Sequence, residues 1–236
     1  MDSRAGVHAT TRIGAVALPV GIAVILVSEF FHPSREDPMD NPAVFMEYAR
    51  SESWTAVHLA QYFGFLLLLG GLVALYYSLG SGSGAGLAPF GLAAAVTAAA
   101  SFTVLQGVDG IALKRAVDAW ASAPADRETA AFAAAEAVRW IEIGMNSLSF
   151  FLAGLTLFLY GLVIALGAAY PRWMGWMAAV SGAAFMFNGA VEVAFTGFGT
   201  SIVKLAGILL LAVWAFVMAV SMWRMAAGPP VRSGLR

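Results

Sequence analysis

Six stretches of the chain run nearly without polar side chains, and each is long enough, at about 20 residues, to cross roughly 30 Å of hydrocarbon as a helix. They fall at approximately 13–31, 56–79, 87–108, 141–168, 172–197 and 200–223. The connections between them are unequal. GSGSGAG joins the second and third spans as an uncharged turn, and GAAYPR joins the fourth and fifth, with Pro171 placed to open a helix. After the first span comes DNPAVFMEYARSES, in which Asp40 or Asn41 can cap and Pro42 suits the first turn. Val44, Phe45 and Tyr48 there share one face, which predicts a short amphipathic helix lying on the membrane surface. The Ala-rich segment after the third span breaks only at residues 122–126, so the third and fourth helices are expected to continue past the bilayer as a hairpin protruding about 15–20 Å.

The expected fold is therefore all-α: one integral membrane bundle of six helices over residues 1–227, with a flexible C-terminal tail at 228–236. Composition agrees, with 60% hydrophobic and 11% charged residues among 236 and a mean hydropathy of +0.79, far from the balance of a soluble domain. The first apolar run follows Arg4 and Arg12, as a signal peptide would. It is too long for one and lacks a small-residue cleavage pattern, so it reads as a retained helix. Six spans put both termini on one side. Arg4, Arg12, Arg172, Arg224, Arg232 and Arg236 gather there close to helix ends against Asp2 alone, which points that side to the cytoplasm. The amphipathic helix and the hairpin then lie outside. The lipid bilayer is the expected partner, with a second membrane protein or another copy of the chain as a further one; a net charge of −1 does not suit nucleic acid. Cysteine is absent, which excludes disulfides, thiolate metal sites and cysteine nucleophiles.

Polar residues within the spans change the picture, because they collect in the outer portion of every helix. They are Glu29 and His32 in the first, His58 and Gln61 in the second, Gln106 and Asp109 in the third, Arg139, Glu142 and Asn146 in the fourth, Asn188 and Glu192 in the fifth, and Thr200 and Lys204 in the sixth. Several pairs are three or four apart and so share a face. An ionisable group in hydrocarbon costs ~2.5–3.5 kcal/mol on insertion scales, so such groups tend to face the bundle interior and pair. Counting out from each turn predicts a Glu192–Lys204 ion pair, Asp109 opposite Arg139, and Gln106 opposite Glu142. Trp54, Trp120 and Trp140 at one end, with Tyr76, Tyr77, Trp173, Trp176 and Trp223 at the other, suit aromatic belts at the two interfaces. Gly64, Gly70, Gly71, Gly154 and Gly161 permit close helix packing.

The residues of this polar set other than Thr200 define a candidate outward-facing pocket for a metal ion, a small polar ligand or a lipid headgroup. Neutral imidazole with carboxylate suits zinc, iron or copper, and His32, His58 and Glu142 are the candidate ligands. A bis-histidine haem, which needs imidazoles on opposite faces of the ring, is disfavoured even though both histidines sit at one membrane edge. No phosphate-binding glycine loop, hydrolase elbow or metalloprotease motif is present. An enzyme would use Glu142 or Asp109 as base beside His58, acting through a metal-bound water. Transport is disfavoured, because carriers hold polar groups near the midplane. An accessory subunit docking through the hairpin is the principal alternative to a ligand-binding role.

The fragments FHPSREDP, NPAVFMEYA, SWTAVHLAQYFG, VDGIALKRAVDAW and EAVRWIE together resemble a group of uncharacterised polytopic membrane proteins of bacteria, a domain-of-unknown-function family. That resemblance covers most of the chain and implies a bacterial inner (plasma) membrane. It brings no activity with it.

Overall fold

The computed structural model describes residues 3–80, 83–199 and 201–227. Thr200, Ser81 and Gly82, Asp2, the Arg4 side chain and the tail at 228–236, with Arg232 and Arg236, lie outside the described residues. Regular structure among the described residues is entirely helical. The helices are α1 (Ser3–Phe30), α2 (Asn41–Arg50), α3 (Trp54–Ser78), α4 (Ala88–Gly107), α5 (Lys114–Ala121), α6 (Glu128–Leu166), α7 (Arg172–Phe187), α8 (Ala194–Thr196) and α9 (Ile202–Ala227). Six continuous helical stretches are long and apolar enough to span a membrane: Gly6–Phe30, Trp54–Ser78, Ala85–Ala121, Glu128–Leu166, Arg172–Thr196 and Ile202–Ala227.

The six spans close into a ring. α1 packs along α3, α3 along α4, α4 along α6, α6 along α7, α7 along α9, and α9 returns to α1. Lipid tails are as apolar as leucine, so close van der Waals approach at small residues has to hold such a ring together. A Cβ at Gly154 would lie 2.5 Å from the Gly182 carbonyl oxygen, and one at Gly161 would lie 2.5 Å from the Ala179 nitrogen. Backbones there touch because no side chain intervenes. Gly64 meets Gly21 of α1, and Gly71 meets Leu18. Gly70 departs from expectation: nothing lies within 4 Å of its would-be Cβ, so it packs against no helix. The outside of the ring presents large apolar side chains such as Val96, Leu148 and Phe216, suited to lipid.

Helix α6 has 39 residues and is about 58 Å long, nearly twice the thickness of the hydrocarbon layer. Its first turns pair with α5. The expected hairpin is thus helical on both arms, and α2 lies against it. Asp40 caps α2, its side chain accepting from the Ala43 N–H at 3.3 Å, and Pro42 sits in the first turn. Val44, Phe45 and Tyr48 are buried against Leu113, Val117 and Ala135. The apolar face expected to meet the membrane surface is filled by the hairpin instead. Phe132 and Trp120 supply the apolar surface that lipid would otherwise offer, with ring centroids 5.6 and 6.0 Å from Phe45. Asn41 Nδ2 donating to Glu136 at 2.9 Å, and Lys114 Nζ donating to the Ala49 carbonyl at 3.2 Å, fasten both ends of α2.

Two spans widen locally into π-helical turns, Val108–Leu113 and Asn188–Val193. Both lie at the polar level of the bundle. Such turns insert one extra residue into an α-helix and recur at functional sites. Each carries a polar residue followed by glycine within its first three positions, Asp109-Gly110 and Asn188-Gly189. A Cβ at Gly110 would lie 2.5 Å from His58 Cβ, and one at Gly189 would lie 2.5 Å from the Ser147 carbonyl oxygen. The carbonyls find partners on neighbouring helices: Trp54 Nε1 donates to Asp109 O at 2.9 Å, Thr55 Oγ1 to Gly110 O at 2.9 Å, and Ser147 Oγ to Gly189 O at 2.8 Å. Irregular backbone at membrane depth needs that kind of satisfaction.

Candidate metal centre and the polar level of the bundle

The first π-turn swings Asp109 toward α3. Its Oδ2 lies 3.0 Å from His58 Nε2, and His58 is only 2% exposed. Opposite stands His32, just past the end of α1, its ring centroid 5.1 Å from that of His58 and 4.9 Å from that of Trp54. One ligand atom from each of His32, His58 and Asp109 falls within 4.8 Å of the others.

Hydrogen bonding decides what these rings present. A backbone carbonyl can only accept, so His58 Nδ1, 2.8 Å from Trp54 O, carries a proton, as does His32 Nδ1, 2.8 Å from Pro33 O. Each neutral ring then has its lone pair on Nε2. For His58 that lone pair faces a carboxylate oxygen, and two acceptors at 3.0 Å need a proton or a cation between them. Burial and the nearby His58 push the His32 imidazole below its usual range, which favours its neutral, ligating form. Asp109 Oδ1 has no partner among the described residues.

The predicted carboxylate was Glu142, and the structure puts Asp109 in its place. Glu142 is engaged elsewhere. Arg139 Nη1 donates to its Oε2 at 2.7 Å, and both side chains are nearly inaccessible. Arg139 also donates to the Tyr48 hydroxyl at 3.2 Å and the Pro38 carbonyl at 3.0 Å, with Tyr48 and Phe198 rings 5.5 and 4.7 Å from its guanidinium carbon. Burial raises the Tyr48 hydroxyl pKa well above its usual range, so it stays a neutral acceptor for Arg139. The expected Asp109–Arg139 and Gln106–Glu142 pairings do not form, because the π-turn rotates Asp109 onto α3 while Arg139 finds its carboxylate three residues along its own helix. Gln106 Nε2 instead approaches Gln61 Oε1 at 3.4 Å, and Gln61 Nε2 donates to Glu29 Oε2 at 2.9 Å.

The expected Glu192–Lys204 ion pair is also absent. Asn188 Nδ2 at 2.6 Å and Ser201 Oγ at 2.5 Å donate to Glu192 Oε2. Lys204 Nζ lies 4.8 Å from the centroid of the Phe150 ring. The second π-turn holds Glu192 against its own helix and the following loop, away from the Lys204 ammonium. Among the described residues Asn146 joins no network, and its Oδ1 is unpartnered, as are Gln106 Oε1, Asn188 Oδ1, Arg139 Nε and, deeper, Trp214 Nε1.

The predicted site residues therefore stand at one level of the bundle, most of them in several small networks and Asn146 in none among the described residues. Only Glu29 and Lys204 among them line the large cavity of about 230 Å³ at the centre of the ring. Trp54 belongs to the site and not to an interface belt: it is 1% exposed, and its ring centroid is 4.5 Å from that of His58 and 3.9 Å from that of Tyr48. Trp140, Tyr77, Trp173, Trp176 and Trp223 are exposed, as belt residues should be. Pattern reading missed Trp54, Tyr48 and the two π-turns; the Asp-Gly and Asn-Gly steps inside otherwise apolar helices were their one signal. No family model, curated protein or solved structure matches the chain.

Proposed function

We propose that the protein binds a divalent transition metal ion through His32, His58 and Asp109, in a bacterial plasma membrane with both termini cytoplasmic and the hairpin outside. The observation that carries this reading is the anchoring of both imidazoles by Nδ1–H bonds to backbone carbonyls, with a ligand atom from each ring and from Asp109 within 4.8 Å of one another. Metal-ligating histidines are commonly held in this way, because a bond from the other ring nitrogen fixes tautomer and ring orientation. Bonds of about 2.0–2.1 Å in a tetrahedral site separate ligand atoms by roughly 3.3 Å. His58 and Asp109 stand near that spacing, at 3.0 Å, and His32 offers a ligand atom within 4.8 Å of both. Zinc, copper and iron fit this donor set. Three protein ligands leave a position for water or a small ligand, so the site suits binding and release or metal-assisted hydrolysis better than a purely structural role.

The test is cobalt(II) titration of the EDTA-stripped full chain in detergent, read as visible d–d absorption, with zinc competition. One equivalent is expected to bind, binding is expected to weaken in acid as the imidazoles take up protons, and Asp109→Asn is expected to weaken it by about tenfold or more. Equal stoichiometry and affinity in a monodisperse His32→Ala, His58→Ala variant would rule the centre out.

A further inference from the structure

The ring encloses more than the polar level requires. Its central cavity, about 230 Å³, exceeds the ~150 Å³ apolar cavity that suffices to bind benzene. Walls such as Leu72, Ala98, Leu157, Phe185, Leu211 and Trp214 are apolar. Along α1 it runs from Glu29 to Leu18, about 16 Å of helix rise, so its shape is long and narrow. Among the described residues, the ionisable ones that line it are Glu29 and Lys204, one of each sign. Both stand at the polar level, so the cavity has a charged mouth and an apolar body.

Glu29 and Lys204 make no direct ion pair with each other. Lys204 makes no ion pair among the described residues and rests on the Phe150 ring. Glu29 accepts from Gln61 through Oε2, and among the described residues its Oε1 accepts from none. An anionic head would be attracted by Lys204 but repelled by Glu29, and a cationic head the reverse. A head carrying both signs satisfies the two together. We infer that the cavity is a binding site for one alkyl chain of a zwitterionic amphiphile, with its phosphate at Lys204 and its ammonium at Glu29. The site is separate from the His32, His58 and Asp109 centre, none of which lines the cavity, and stands whether or not that centre binds metal.

Trp214 in the cavity wall provides the readout. The full chain in maltoside micelles is titrated with a lysophosphatidylethanolamine brominated along its chain, and bromine quenching of tryptophan is compared with that in Trp214→Phe. Saturable quenching is expected in the wild type, with the saturable part lost in Trp214→Phe. Lys204→Met and Glu29→Gln are each expected to weaken binding about tenfold or more, since each removes a charge-assisted contact. Ala98→Phe fills the cavity and should abolish saturable binding. A brominated fatty acid, bearing the anion alone, should bind more weakly than the zwitterion and should not be weakened by Glu29→Gln. An intact brominated phosphatidylethanolamine distinguishes a bilayer lipid inserting one chain from a single-chain ligand, and saturable binding of either supports the site. Quenching that never saturates, or a fatty acid or alkyl alcohol that binds as tightly as the zwitterion, would overturn the inference. So would full affinity in both head-contact variants.

Discussion

Glu142→Gln removes the one carboxylate paired with Arg139 among the described residues and leaves a guanidinium buried at 2% exposure. The remaining contacts, to the Tyr48 hydroxyl and the Pro38 carbonyl, are neutral acceptors. Breaking a buried pair by removing one partner costs about 3–5 kcal/mol, because an uncompensated charge stays behind. Replacing both residues, as Arg139→Met with Glu142→Leu, removes both charges and forfeits mainly the two neutral hydrogen bonds, each worth about 1 kcal/mol. The double variant should therefore be no less stable than Glu142→Gln and markedly more stable than the sum of the single changes. Equilibrium unfolding in mixed detergent and dodecyl sulfate micelles, followed by circular dichroism, measures all members of the cycle. Strict additivity would refute the reasoning, since it would mean that neither charge depends on the other for its place in the interior.

Gly161→Ala inserts a Cβ where the Ala179 nitrogen stands at 2.5 Å and should destabilise by about 1–3 kcal/mol through overpacking. Gly70→Ala, with open space around it, should stabilise by up to about 1 kcal/mol through helix propensity; the same unfolding assay compares them, and equal effects would contradict the packing described. Phe45→Ala removes a fully buried ring between α2 and the hairpin and should cost about 3–5 kcal/mol. Limited proteolysis should show faster cleavage between residues 33 and 53, and an unchanged rate would show that α2 is held by something else.

The spans were legible because hydrophobic runs of membrane length have few alternative readings. Four of the six span starts predicted from the pattern lie within two residues of the observed ones; the first begins at Gly6, earlier than 13, and the fourth at Glu128, earlier than 141, because its extension carries charge and alanine and so looks soluble. The depth of the polar residues was also readable, since each sits near the same end of its own run. Their partners were not. Counting outward from a turn assumes an unbroken α-helix, and each π-turn adds a residue, turning Asp109 and Glu192 off the faces that 3.6-residue periodicity assigns them. The destination of the α2 face was equally hidden, because Val44, Phe45 and Tyr48 would suit lipid or protein alike.

Composition and periodicity by themselves determined a six-span helical bundle with its polar groups at one end, because the bilayer admits almost no other arrangement of such a chain. Only the tertiary structure decided that the spans close into a ring around a cavity, that Asp109 and not Glu142 joins the two histidines, and that Lys204 stands free of Glu192. The physical reason is one of range. Transfer from water to lipid acts on each segment independently, whereas a hydrogen bond or an ion pair depends on two helices holding register to within an ångström or so.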